Sequence, residues 1–87
     1  MHAVVVDITV KDPVAGSEML MELVPKIAGS PGFVTGWWLA VGESNGHSVV
    51  VFESEEAAQA AAATAVVPPE APIAIDDVKV CAVVAHV

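Results

Sequence analysis

Three short runs of this chain are apolar at consecutive positions, so a β-strand built from any of them would be apolar on both faces. The runs cover residues 4–6, 49–52 and 80–85. Successive side chains of a strand point to opposite faces, and a sheet with one face in water shows alternating apolar and polar residues instead. A sheet made from these runs therefore needs cover on both faces.

Composition and charge limit what that cover can be. Hydrophobic residues make up 55% of the 87 residues, and the six glycines bring the apolar share to about 62%, against roughly 45–50% in ordinary domains. A chain of this size buries only about 60–65% of its unfolded surface, so a partner surface is expected. Three lysines, no arginine and a net charge of -8 leave no basic patch for phosphates, which excludes nucleic acid as the partner.

The apolar runs are too short to cross a membrane, and this limits the class of protein. None approaches the roughly 18 residues of a membrane span, and the N-terminus has no basic segment before a long apolar one. We therefore expect a soluble, cytoplasmic protein with no membrane partner. The single cysteine, Cys81, cannot form an internal disulfide, and its place among small apolar residues predicts a buried, unreactive thiol.

The first half of the chain predicts a strand and a helix. The β-branched segment His2–Val10 is typical of a strand. Asp12 and Pro13 are typical of a helix start, and the segment 29–32, rich in glycine, ends the helix. Its apolar face follows helical spacing, and Pro25 within it predicts a bend or an irregular second half. That face consists of Leu20, Leu23, Val24 and Ile27.

The second half predicts a hairpin, a helix and a final strand. Strands over Phe33–Val41 and 47–53 are joined across Asn45 and Gly46, a pair that tolerates the positive φ of a tight turn. Ser54 caps a helix whose alanine-rich part runs over 57–65 and ends at the prolines of 66–69. The last strand is expected over 78–87.

This order of elements, βαββαβ, predicts a ferredoxin-like α+β fold in a single domain, residues 1–87. Its four-stranded antiparallel sheet would have the strand order 4-1-3-2, with both helices on one face. The helices leave the other face uncovered. The simplest cover is the same sheet of a second copy, packed about a two-fold axis, which predicts a homodimer through the sheet face.

Three segments of the sequence resemble one known superfamily. They are PGFVTGW at 31–37, GHSVVVFESEEAA at 46–58, and the valine-rich 78–84. Together they resemble the dimeric α+β barrels related to antibiotic-biosynthesis monooxygenases, over nearly the whole chain, and most closely the short uncharacterised bacterial members. The resemblance implies a cofactor-independent, monooxygenase-like enzyme acting on a small aromatic or polyketide-like compound. The alternative is a non-catalytic dimeric module that binds an apolar metabolite or serves only in assembly.

The functional residues of that superfamily are largely missing. Quinone-forming members use Asn, Trp, Tyr and Arg around a pocket, whereas this chain has no Tyr and no Arg, and its one Asn, Asn45, is explained by the hairpin. Haem-degrading members resemble one another in an iron-binding His after the second helix, and residues 64–75 contain none. We therefore expect no haem and no other cofactor.

The aromatic residues are the candidates for a substrate-binding wall. Trp37 and Trp38 must point to opposite faces of their strand, so one should pack beneath the helices and the other toward the dimer seam. Trp37, Trp38 and Phe52 are all candidates for binding substrate. The alternative for each is packing in the core or in the dimer interface. The second helix offers mainly alanines, so it either sits close to the sheet or leaves a space for a flat apolar ligand.

Asp7 and His47 are the candidate catalytic residues. Asp7 is the one charged residue of its strand, where a carboxylate can act as a general base or can simply pair with a neighbour such as Lys79. His47 follows the hairpin turn and could overhang a pocket mouth. His2 and His86 should approach each other at the strand ends, but the three histidines have no metal-binding spacing, so we expect no metal.

Overall fold

The order of elements is the predicted one in a computed structural model that describes all 87 residues. The strands and helices are β1 (His2–Val10), α1 (Pro13–Ala28), β2 (Phe33–Val41), β3 (Asn45–Phe52), α2 (Glu55–Ala62) and β4 (Ile73–Ala82). The four strands form one antiparallel sheet in the order β2-β3-β1-β4. This is the predicted order 4-1-3-2 counted from the other edge, and the ferredoxin-like fold is confirmed.

The sheet has two unlike faces. On the helix side, a core cluster of Val4, Val50, Phe52 and Ala58 lies between the sheet and α2. The opposite side, called the outer face below, has no element packed on it. Register places sixteen residues there: Ala3, Val5, Asp7 and Thr9 of β1; Thr35, Trp37, Leu39 and Val41 of β2; Asn45, His47, Val49 and Val51 of β3; and Ala74, Asp77, Lys79 and Cys81 of β4.

The last strand lies five residues earlier than predicted. It pairs with β1 from Ile73, opposite Val10, to Ala82, opposite His2. Beyond Ala82, the backbone N–H of Val83 donates to the carbonyl of Met1 at 3.0 Å, and residues 84–87 lie outside the sheet. The register shifts by one residue at Asp76, where a β-bulge adds one unpaired residue to β4. On both sides of the bulge, the side chains of β4 point to the same face as those of the β1 residues with which they pair.

The predicted hairpin is confirmed, but its turn is placed differently. Asn45 already pairs with Val41, so the loop is the three residues 42–44, and the positive φ of 67° belongs to Gly42. Gly46 lies within β3 for another reason. A Cβ at Gly46 would stand 2.7 Å from Cγ1 of Ile8, so a larger residue here would force that isoleucine side chain to move.

Both predicted helix caps are confirmed. The Oδ1 of Asp12 accepts hydrogen bonds from the backbone N–H groups of Val14 and Ala15, each 3.1 Å, and Ser54 Oγ accepts one from Ala57, 3.1 Å. The helix α1 continues past Pro25 to Ala28. The helix α2 ends three residues early, where the Thr64 hydroxyl donates to the carbonyl of Ala61 at 2.7 Å. Neither helix has the length and hydropathy to cross a lipid bilayer.

Candidate functional site: a cleft between α1 and the sheet

The helix α1 lies over one face of the sheet and contacts it near the first and the last turn of the helix. Near its start, a Cβ at Gly16 would lie 3.3 Å from Cγ1 of Val10, so glycine allows the closest approach there. Near its end, Ile27 packs on the core cluster. Between these two points no residue of α1 is fully buried. A cavity of about 510 Å³ separates Met19, Leu20 and Leu23 from the sheet.

The walls of this cleft are mostly apolar. The floor is formed by the helix-side residues of the central and edge strands: Val4, Val6, Ile8, Val10, Val50, Ile73 and Ile75. Small side chains of α2 and the segment after it, Ala61 and Ala65, close one end. For the alanine face of α2, we considered either close packing on the sheet or a space for a ligand, and the structure shows both. Ala58 is fully buried in close contact with the sheet, while Ala61 and Ala65 border an open space.

The two tryptophans point to opposite faces, as predicted. Trp38 lies on the helix side, packs on the core cluster and borders the cleft with Phe52. Its indole lies across Gly36, where a Cβ would be 2.8 Å from the ring atom Cη2. Glycine at 36 is thus required by the aromatic ring two residues along the strand. Trp37 lies on the outer face and is 53% exposed.

The cleft is nearly free of charge. Glu43, in the hairpin loop, is the one carboxylate that borders it, and none of the three lysines does. Its other polar groups are mainly hydroxyls, contributed by Ser17, Ser30, Ser48 and Thr64. Such a lining can orient a hydrogen-bonding ligand, but it supplies no positive charge to neutralise an anion.

Asp7 and His47 lie together on the outer face, directly opposite each other on β1 and β3. The Nδ1 of His47 is 2.5 Å from Oδ1 of Asp7. His47 borders the cleft through its strand, but its ring is bonded to Asp7 on the other side of the sheet. The alternative that Asp7 pairs with a neighbour in the sheet is confirmed, but the neighbour is His47 and not Lys79, whose Nζ lies 3.3 Å from Oδ2 of Asp77. The Asp7–His47 pairing depends on strand register and could have been found only from it.

The remaining candidates also differ from expectation. His2 does not face His86, since its strand partner is Ala82, and His2 Nε2 lies 3.2 Å from Oε2 of Glu55. Cys81 is exposed in the single chain, not buried, because it lies on the outer face. No group of three or more His, Cys, Asp and Glu side chains is placed to hold a metal ion.

The fold and the cleft define a ferredoxin-like α+β protein. Two solved structures share this fold, both of the haem-degrading protein MhuD from Mycobacterium tuberculosis. One, with two haems bound in its active site, is 24% identical with a TM-score of 0.59, over 98% of each chain. The other, haem-free and cleaved, is 28% identical with a TM-score of 0.55, over 100% of this chain and 99% of that one. No protein family and no curated protein matches the sequence.

Proposed function

We propose that this protein binds a small, uncharged aromatic or polyketide-like compound in the cleft between α1 and the sheet. The observation that carries the proposal is an apolar cavity of about 510 Å³ with an aromatic wall and no bordering lysine. Ligand pockets commonly have volumes of about 300–1,000 Å³ and a few polar groups that orient the ligand. The hydroxyls of Ser17, Ser30, Ser48 and Thr64 are the groups available for that here.

Haem fits this cleft poorly, although MhuD degrades haem. A bound haem commonly needs an axial ligand to its iron and positive charge near its two propionates. The one imidazole that borders the cleft, that of His47, is bonded to Asp7 on the outer face. No lysine borders the cleft, and the chain carries a net charge of -8. We therefore do not assign haem as the substrate.

A monooxygenase-like reaction of the bound compound is the second part of the proposal. It is supported by the fold, which this chain shares with a haem-degrading enzyme. Such a reaction without a cofactor needs a base that activates an electron-rich substrate. Asp7 and His47 are the candidates for that base, but the sheet separates their side chains from the cleft. This geometry favours simple binding over catalysis.

The binding proposal is tested by calorimetric titration with anthrone, an uncharged tricyclic aromatic compound, and with anthracenecarboxylate, a charged one. We expect anthrone to bind at least about tenfold more tightly, because burying an unpaired carboxylate costs well over 1.4 kcal/mol. Equal affinity, or no heat with either compound, would contradict the proposal. Haemin serves as a third probe, and it should show no spectral sign of an axial ligand from the protein.

A matched pair of variants on α1 shows where the probe binds. Leu23→Trp adds a large side chain to the wall of the cleft, whereas Met21→Trp adds the same side chain at a position that is 76% exposed. Anthrone binding should be lost in the first variant and retained in the second. Dioxygen uptake in the presence of anthrone, measured on the wild type and on Asp7→Asn, separates turnover from binding. Unchanged turnover in Asp7→Asn would remove Asp7 as the base.

We further propose that the protein is a homodimer joined through the outer face. Trp37, Leu39 and Val41 of the edge strand β2 are each about half exposed on that face, and Cys81 is exposed on the opposite edge strand, β4. Strands of 8–10 residues in a four-stranded sheet give a face of roughly 600 Å² per protomer at the usual strand dimensions. Two such faces approach the lower limit of stable interfaces, about 1,200 Å² in total.

A further inference from the structure

We propose that the outer face makes dimer formation proton-linked, with the Asp7–His47 pair taking up one proton per protomer as two copies associate. This inference rests on the homodimer proposed above and adds to it. It concerns how the strength of association depends on pH, and it assigns to Asp7 and His47 a role in assembly. The partner that the face fits is a second copy of this chain.

The pair lies in the middle of the sheet, where a second copy would cover it. Asp7 is on β1 and His47 on β3, the two central strands. In the single chain the Asp7 side chain is 48% exposed and that of His47 is 34% exposed. The 2.5 Å contact uses Nδ1 of the ring. Water therefore still solvates the Asp7 carboxylate in the monomer, and covering the face would remove that water.

His47 is the one cationic partner available to Asp7. On β4, Asp77 lies opposite Asp7, and Lys79 is paired with Asp77 at 3.3 Å. The bulged Asp76 accepts a hydrogen bond from the Thr9 hydroxyl, 2.7 Å. The edge strand β2 brings no charged or titratable group to the face; it contributes Thr35, Trp37, Leu39 and Val41. On β3 the other outer residues, Asn45, Val49 and Val51, are also uncharged.

Burial makes the charge of this pair important. An ionised carboxylate removed from water is costly unless it is paired with a positive charge and hydrogen-bonded. With a neutral imidazole, the Asp7–His47 pair carries one uncompensated negative charge into the interface. With an imidazolium, the pair is neutral and its hydrogen bond is charge-assisted. Association should therefore favour the protonated ring, and by linkage protonation should favour association.

The charge distribution of the chain argues for a second copy as the occupant. Most of the eleven carboxylates lie off the outer face; those on or beside it are Asp7, Asp76 and Asp77. Once His47 is protonated, the Asp7–His47 pair and the Asp77–Lys79 pair each have no net charge. A two-fold axis places the outer faces of the two copies against each other, so two surfaces of low charge meet. The rest of the chain has eight carboxylates and two lysines, and this net charge of -6 then faces away from its copy.

The test is the dimer dissociation constant, measured by sedimentation velocity at constant ionic strength from about pH 8 to about pH 6, the range in which imidazoles titrate. Uptake of one proton per protomer predicts a dimer at least about tenfold tighter at the lower pH. A dimer whose dissociation constant does not change would overturn the proton linkage but leave the homodimer intact. A protein that is monomeric at every pH would overturn both.

Three variants separate this pair from the general loss of negative charge at low pH. His47→Gln should lose most of the pH dependence while remaining dimeric. Asp7→Asn leaves an imidazole without its carboxylate, so its dimer should be weaker at the lower pH, the reverse of the wild type. The control is His2→Gln, because His2 is paired with Glu55, away from the outer face, and should behave as the wild type. Wild-type pH dependence in His47→Gln would overturn the proposal.

Discussion

The two faces of the sheet are made from the same strands and differ in what they enclose. The helix-side face surrounds a space, because α1 touches the sheet only near its ends and the middle of the helix stands away. The outer face has nothing packed on it and leaves Trp37, Leu39 and Val41 about half exposed. Adjacent residues illustrate the difference, since Trp38 borders the cleft while Trp37 faces outward. One apolar run thus supplies both a ligand wall and an association surface.

The two faces also differ in the charged residues that they carry. The cleft is bordered by one carboxylate, Glu43, and by no lysine. The outer face carries the hydrogen-bonded pair Asp7–His47 and the ion pair Asp77–Lys79. A neutral apolar cleft is suited to an uncharged ligand, whereas paired charges within an apolar surface can set the register of a contact between two copies.

Removing the largest core side chain should have the largest effect on stability. Phe52 is 1% exposed and packs edge-on against Phe33, with ring centroids 6.3 Å apart. We expect Phe52→Ala to lower the free energy of unfolding by about 3–5 kcal/mol, measured by urea denaturation. Trp37→Ala, measured at a dilution where the chain is monomeric, should cost far less. Similar losses in the two variants would show that the faces are equally important to the fold.

A charge placed on the outer face should break the dimer without unfolding the chain. Trp37→Glu puts a carboxylate on the outer face opposite the uncharged Val49, and we expect dissociation to increase by about 30-fold or more, the effect of losing roughly 2 kcal/mol at an interface. The matched control is Val14→Glu, at a position of α1 that is 71% exposed. Sedimentation in which both variants match the wild type would argue against this face as the interface.

The helix-side face should also respond to a single methyl group. In Gly36→Ala the new Cβ would meet the Trp38 ring at 2.8 Å, so the indole must move. We expect a loss of about 1–3 kcal/mol in stability together with a shift in tryptophan fluorescence. Gly29→Ala is the control, because its Cβ would meet nothing closer than 3.5 Å. A Gly36→Ala protein with wild-type stability and fluorescence would contradict the packing described for Trp38.

The smallest effect is expected at the start of α1. Asp12→Ala removes the side chain that accepts from two backbone N–H groups, at a cost of about 1 kcal/mol. Asp12→Ser should recover most of this loss, because serine is also a good cap. Since α1 forms one wall of the cleft, Asp12→Ala should weaken anthrone binding slightly as well. Thermal unfolding and calorimetry on the same samples would measure both effects.

The sequence predicted most of the fold because local signals agreed with one another. The β-branched runs, the caps at Asp12 and Ser54 and the glycine-rich turns place five of the six elements close to their observed bounds. The last strand was misplaced because its valine run continues beyond Ala82, the last residue that pairs with β1, while the first residues of the strand, 73–77, lack such a run. The hairpin turn was predicted at Asn45 and Gly46, but Asn45 pairs with Val41, which moves the turn to residues 42–44 and its positive φ to Gly42.

The candidate site was less predictable because it depends on distances between elements. The opposite orientation of the two tryptophans follows from strand geometry alone. The pairing of Asp7 with His47 requires the register of β1 against β3, which the sequence does not specify for two residues 40 positions apart. The cleft itself depends on how far α1 stands from the sheet. The exposure of Cys81 follows from the outer face having no cover within one chain.

The difference between the two faces is tested most directly by the two indole N–H signals of the isotope-labelled protein during titration with anthrone. The signals are assigned with Trp37→Phe and Trp38→Phe. If the cleft is the binding site, the Trp38 signal should shift progressively with added anthrone while the Trp37 signal stays in place. A shift confined to Trp37, or equal shifts of both signals, would place the ligand elsewhere and contradict the account.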